Sequence, residues 1–121
     1  MRLGIEVDGE PLAPGAAVSG RVVIEQGGGA RSLSVRLALV ERTESFEKIA
    51  RDAGTLVVAE GDLADGAALA FSLALPDDAL PNIATHHGRI GWELRARVDR
   101  AGPDPTLDRP IEMLRSYTAP D

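Results

Sequence analysis

Between residues 88 and 100 the chain alternates with a period of two, and no other stretch constrains the fold as strongly. Ile90, Trp92, Leu94, Ala96 and Val98 fall on one side, and Arg89, Gly91, Glu93, Arg95, Arg97 and Asp99 on the other. A helix would scatter those charges around its circumference, whereas a strand sends successive side chains to opposite faces. The segment reads as a strand with one dry face and one wet face. Residues 66–75 repeat the pattern, with Leu69, Phe71, Leu73 and Leu75 alternating with Ala68, Ala70, Ser72 and Ala74. Trp92, Leu94, Phe71 and Leu73 are accordingly expected to face inward, on two neighbouring strands.

Weaker alternation marks the other strands. Leu3, Ile5 and Val7 share a face, as do Val18, Val22 and Ile24, and then Leu33, Val35, Leu37 and Leu39. Residues 55–63 carry Leu56-Val57-Val58, and residues 107–115 end the fold with Ile111 and Met113. Turn chemistry separates nearly all of them: Asp8-Gly9, Pro14-Gly15, Gly27-Gly28-Gly29, Asp65-Gly66, Pro76-Asp77-Asp78 and Gly102-Pro103-Asp104-Pro105. Strands about ten residues apart with a turn between each pair indicate a sandwich or barrel. Residues 44–54 leave two readings open. Phe46, Ile49, Ala50 and Ala53 stand at helical spacing, yet the segment also fits a strand continuing from Val40, turning at Asp52-Ala53-Gly54 and returning through Thr55. The extended hairpin is favoured, because a lone short helix would need a packing partner that an all-β pattern does not offer. Residues 1–115 are read as one domain and 116–121 as a frayed tail.

A chain of 121 residues has room for one core. Only 3% of it is aromatic, so that core is built mainly from Leu, Val, Ile and Ala. Charges interrupt every apolar run well short of a membrane span, so no membrane insertion is expected. Glu6 and Asp8 stand where a signal peptide would continue its apolar region, and cysteine is absent; a cytoplasmic protein is the default. The lack of cysteine also removes thiolate catalysis and Cys-based zinc sites. A net charge of −6 would repel a phosphate backbone, which disfavours nucleic acid as a partner.

Three segments, in order, resemble the arrestin-like superfamily. Residues 12–22 look like its Pro-Gly turn feeding a strand of the form V-x-G-x-V, here Val18, Gly20 and Val22. Residues 33–43, ending Leu39-Val40-Glu41-Arg42-Thr43, are similar to the third strand and its exit. Leu80-Pro81-Asn82, followed by residues 88–96, resembles the family's Pro-Ser turn and its strand of the form I-x-Y-x-L. Asn82 stands there for the Ser and Trp92 for the Tyr. The resemblance implies an immunoglobulin-like or arrestin-like sandwich of two antiparallel sheets with about seven or more strands. It also implies a role in binding other proteins, as an adaptor or regulator. Bacterial arrestin-like proteins linked to sporulation control are the nearer analogue. Members usually have two such lobes, and this chain has one. The polar core and phosphate-sensing residues of animal arrestins have no match here, so none is carried over.

Candidate sites are few. His86-His87 is the only histidine pair, and neighbours in an extended chain point to opposite faces, so an exposed loop is expected rather than a metal site. Asp62, Asp65, Asp77, Asp78, Asp104 and Asp108 could meet at one end of a sandwich, but no calcium-loop ladder joins them, and solvated turn carboxylates are expected. Gly27-Gly28-Gly29 lacks the Gly-Lys-Ser/Thr of a phosphate loop and reads as a hairpin connection. Ser19-Gly20 has no nucleophile-elbow glycine before it. No catalytic, metal or cofactor set is expected. That leaves the wet face of residues 88–100. Arg89, Arg95 and Arg97 are the expected partner-binding residues, either as a recognition face for an acidic protein or as a solubilising face of cross-strand ion pairs. On both readings, reversing their charge should leave the melting temperature nearly unchanged. The expected function is a non-catalytic protein-binding or regulatory module, and open edge strands make a homodimer an expected assembly. The rival readings are a carbohydrate- or small-ligand-binding sandwich and an accessory subunit of an enzyme complex.

Overall fold

The computed structural model describes residues 1–118. Among these residues nine strands and no helix are found: β1 Arg2–Val7, β2 Ala17–Gln26, β3 Ser32–Thr43, β4 Glu47–Glu60, β5 Ala68–Ala74, β6 Asn82–Thr85, β7 Gly88–Asp99, β8 Thr106–Pro110 and β9 Ser116–Thr118. They form two sheets. The smaller has the order β1-β2-β5, and the larger runs β4-β3-β7-β6-β9 with β8 also paired to β7. The all-β sandwich read from the alternation is the fold observed. One pairing departs from the antiparallel expectation, because β6 and β9 run parallel.

The two inner faces follow the period of two. Across the larger sheet Leu33 pairs with Val98, Val35 with Ala96, Leu37 with Leu94 and Leu39 with Trp92, and all eight are buried. Val18, Val22, Ile24 and Phe71 answer them from the smaller sheet. Trp92 and Phe71 thus face inward as expected, but from opposite sheets rather than neighbouring strands. Leu73 is only partly buried against this core. Gly20, the middle residue of the V-x-G-x-V pattern, stands opposite Val7 on β1 and Phe71 on β5. A Cβ there would lie 1.9 Å from the Glu6 carbonyl oxygen, so the close approach of β1 to β2 demands glycine.

Residues 47–54 are extended and no part of 44–54 is helical, but the chain turns earlier than the sequence suggests. Thr43 N–H donates to the Phe46 carbonyl at 2.9 Å, while the Thr43 hydroxyl accepts from Ser45 and Phe46 N–H, closing the turn at residues 44–46. Asp52-Ala53-Gly54, the expected turn, is instead a bulge inside β4. Its register against β3 skips a residue there, Gly54 adopts φ +127°, and Asp52 Oδ1 accepts the Gly54 N–H at 2.8 Å. The Gly27-Gly28-Gly29 run does not close a hairpin either. It carries the chain from β2 in one sheet to β3 in the other. Ser116–Thr118, read as part of a frayed tail, pair with Asn82–Ala84, and the rest of that tail lies outside the described residues.

Candidate interaction surface

The wet side of β7 lies between β3 and β8. In register, Arg42 stands beside Arg89, Ala38 beside Glu93, Arg36 beside Arg95, and Ser34 beside Arg97, with Asp108 on the far side of Arg95. The alternation placed these side chains on the outer face, and they are there. Glu93 nevertheless retains only 3% of its exposure. Both of its oxygens accept from Arg42, from Nε at 2.9 Å and Nη2 at 2.7 Å. Arg42 also donates to Glu47 at 2.6 Å and to Asp108 at 3.2 Å, and Arg95 donates to the same two carboxylates at 2.5 and 3.0 Å. Arg42, Glu47, Arg95 and Asp108 therefore close a ring, and Glu93 joins it through Arg42. Hydrogen bonding to Glu93 pushes the Arg42 guanidinium above its ordinary pKa, against the effect of burial. Burial works to raise Asp108, yet the hydrogen bond and charge of Arg95, helped by Arg42, bring it below the usual carboxylate value. Nearby, Arg97 pairs with Asp104 and Arg36 with Asp52.

This face is a lattice of compensated charge rather than a positive patch. An acidic partner meeting Arg95 would have to displace Asp108 and Glu47, and at Arg97 it would displace Asp104. A trough of about 340 Å³ lined by Ser34, Arg36, Thr55, Arg95, Arg97 and Thr106 runs across it. Arg89, opposite Arg42 in register, is exposed near the start of β7 and is not a member of this ring.

At that end β7 has two different neighbours on one side, β6 for Ile90 and earlier residues and β8 from Glu93 onward. The Asn82 side chain bridges the gap. Its Oδ1 accepts the Trp92 N–H at 3.2 Å and its Nδ2 donates to the Ile111 carbonyl at 2.8 Å. The Trp92 indole donates to the Leu80 carbonyl at 3.0 Å, which fixes the segment leading into β6. Asn82 therefore satisfies backbone groups that no strand reaches. With its backbone so anchored, the segment leaves Leu80 49% exposed. Leu114 and Tyr117, on the chain that returns beside β6, are 62% and 56% exposed. A hollow of about 440 Å³ opens between Pro14, Ala79, Pro81, Met113, Leu114, Arg115 and Tyr117. A smaller one of about 160 Å³ lies on the other side of Tyr117, with Arg89 and Ile83 in its lining. Sequence reading missed this surface because it treated residue 116 onward as tail. The signal available was Leu114, out of step with the alternating Ile111 and Met113, and Tyr117, set among polar neighbours.

The remaining candidates fall into structural places. His86 and His87 occupy the exposed turn between β6 and β7, where their ring centroids lie 3.8 Å apart; a turn, unlike a strand, lets neighbouring side chains meet. Asp65 and Asp62 accept N–H groups of Gly27 and Ala30 at 2.6 and 3.2 Å, tying down the crossing between sheets. Asp78 pairs with Arg51 at 2.9 Å. The acidic residues are thus dispersed over several loops and do not converge.

No family model and no curated protein matches the chain. The solved structure of Spo0M, the sporulation control protein of Bacillus subtilis, superposes along 98% of it with a TM-score of 0.67. The shared feature is the fold. Identity is 16%, so the likeness reaches no further than the arrestin-like sandwich that the three sequence segments suggested. The chain spans 49% of the length of that Spo0M structure. No helix among the described residues is long and apolar enough to cross a membrane.

Proposed function

We propose that the domain is a non-catalytic module that binds another protein through the apolar end surface built on Leu80, Leu114 and Tyr117. The carrying observation is that Leu114 and Tyr117, both exposed, line a hollow of about 440 Å³ together with Ala79 and Pro81, which flank exposed Leu80 in the chain. Contiguous apolar surface of this kind marks interaction sites, and Tyr, Met and Arg, all present here, are enriched in them. The backbone beneath is held by Asn82 and Trp92, so little ordering cost attends docking. A regulatory role accords with the Spo0M fold likeness. A carbohydrate site would call for an aromatic platform, and Tyr117 alone makes a poor one.

Arg89 gives a second, narrower reading. It lines the hollow on the far side of Tyr117, so an acidic group on a partner seated over Tyr117 lies within its reach. Arg95 and Arg97 carry less of that role because carboxylates already engage them. The test is quantitative capture from a lysate of the source organism with wild type, Leu114→Glu, Arg89→Glu and Arg97→Glu baits. Leu114→Glu should lose the dominant partner, Arg89→Glu should weaken capture, and Arg97→Glu should retain it. Retention by Leu114→Glu together with loss by Arg97→Glu would return the site to the β7 face.

A further inference from the structure

We infer that the apolar end surface docks a second copy of this chain about a two-fold axis. The inference rests on the protein-binding reading above and names its partner. A two-fold interface presses one patch against itself, so the patch must be self-complementary in shape and in charge. Both conditions are met. Leu114 projects with 62% of its surface exposed, and it also borders a hollow with room for a side chain of its size. It is both the knob and part of the hole. Arg115 lines the same hollow, and exposed Asp77 stands against Gly15, which follows the lining residue Pro14. A two-fold rotation carries Arg115 of one copy toward Asp77 of the other, twice, while Asp78 stays with Arg51.

Charge also selects this surface over others. The chain carries −6, so two copies repel at long range and need local pairing where they meet. On the β7 face Arg95 and Arg97, and Arg42 beside them, are already compensated and offer no such pairing. The outer side of the smaller sheet is likewise compensated, with Arg21 held by Glu6 and Arg2 by Glu25. The patch rests on a few exposed apolar side chains and one hollow, a small contact beside the ~800 Å² per partner of a standard stable interface. Self-association should therefore be reversible and concentration-dependent.

Sedimentation equilibrium on the purified chain, from about 10 µM to about 1 mM where interfaces of modest size assemble, reads this directly. The average mass should rise from 12.7 kDa toward twice that value. Leu114→Glu and, separately, Leu80→Asp should hold it at the monomer mass while circular dichroism and melting temperature stay those of the wild type. Arg115→Asp should weaken association at least tenfold, and Arg115→Asp combined with Asp77→Arg should restore it. A wild type that stays monomeric throughout overturns the inference. So does a dimer indifferent to Leu114→Glu and Leu80→Asp, which would point to edge-strand pairing instead. If the purified chain stays monomeric while Leu114→Glu still abolishes lysate capture, only the second copy is wrong and the protein-binding reading survives.

Discussion

Arg95 and Arg97 stand two residues apart on one strand face, yet their side chains are 25% and 66% exposed. Arg97 meets one carboxylate at the solvent edge, where an ion pair contributes little. Arg95 closes the ring with Glu47 and Asp108, beside the Arg42–Glu93 pair, whose carboxylate is almost wholly buried. Removing one member of a buried pair leaves the other charge uncompensated, which is where the large penalties arise. Arg97→Glu should therefore leave the melting temperature close to wild type. Arg95→Glu, by adding a third carboxylate beside Glu47 and Asp108, should cost about 2–3 kcal/mol, and Arg42→Ala about 3–5 kcal/mol. Urea unfolding of the three variants checks the order, and equal effects for Arg95→Glu and Arg97→Glu would refute it. The expectation that all three β7 arginines could be reversed without cost thus fits Arg97 and not Arg95. The face of each arginine was legible because alternation is local. The burial of Glu93 was not, because its partner Arg42 lies on another strand, far away in sequence.

Among elements, the strands with clean alternation were legible, whereas the shortest strands and the bulged β4 were not. β2, β3 and β7 span ten to twelve residues, enough for a period of two to declare itself. β6 and β9 have four and three residues, too few for a pattern of their own, and it is the Asn82 side chain that ties β6 to Trp92 and Ile111. The bulge in β4 shows the same limit from another side. Asp52 and Gly54 are turn residues, and they do bend the backbone, but β3 continues alongside and turns a reversal into a bulge. The Asn82 junction is open to test. Asn82→Ala leaves the Trp92 N–H and the Ile111 carbonyl without their present partners, at a cost of about 1–3 kcal/mol. Gly91→Ala should also destabilise, since a Cβ there would sit 3.0 Å from Asn82 Oδ1. Amide hydrogen exchange supplies the readout. Trp92 N–H should exchange faster in Asn82→Ala while Leu94 N–H, two residues along in the β7 ladder, is spared; uniform acceleration would mean that Asn82 serves global stability only.

On the scale of the whole molecule, the segment after β1 is fastened to the segment after β8 by one carboxylate. Glu10 accepts from Arg109 through both oxygens, at 2.7 and 2.5 Å, and from the Glu112 N–H at 2.7 Å. Beside it Leu12 bridges Met113 in parallel, so the two distant stretches of chain close one end of the sandwich together. The Arg109 hydrogen bond holds the Glu10 carboxyl below its ordinary pKa, against the opposing effect of burial and with help from the Glu112 N–H. A group depressed in the folded state stabilises the fold fully above its unfolded pKa, about 4.3 for Glu, and loses that contribution as pH falls through the lower folded value. Glu10→Gln keeps the shape, removes the charge, and should cost about 1.5–3 kcal/mol near neutral pH, the range for hydrogen bonds to an ionised group. The deficit should hold down to about pH 5 and shrink as Glu10 of the wild type takes up its proton. Urea titrations of both proteins across this range measure the difference directly. A deficit that stays constant through the acid range would mean that the Glu10 charge contributes nothing and that packing alone joins the two ends.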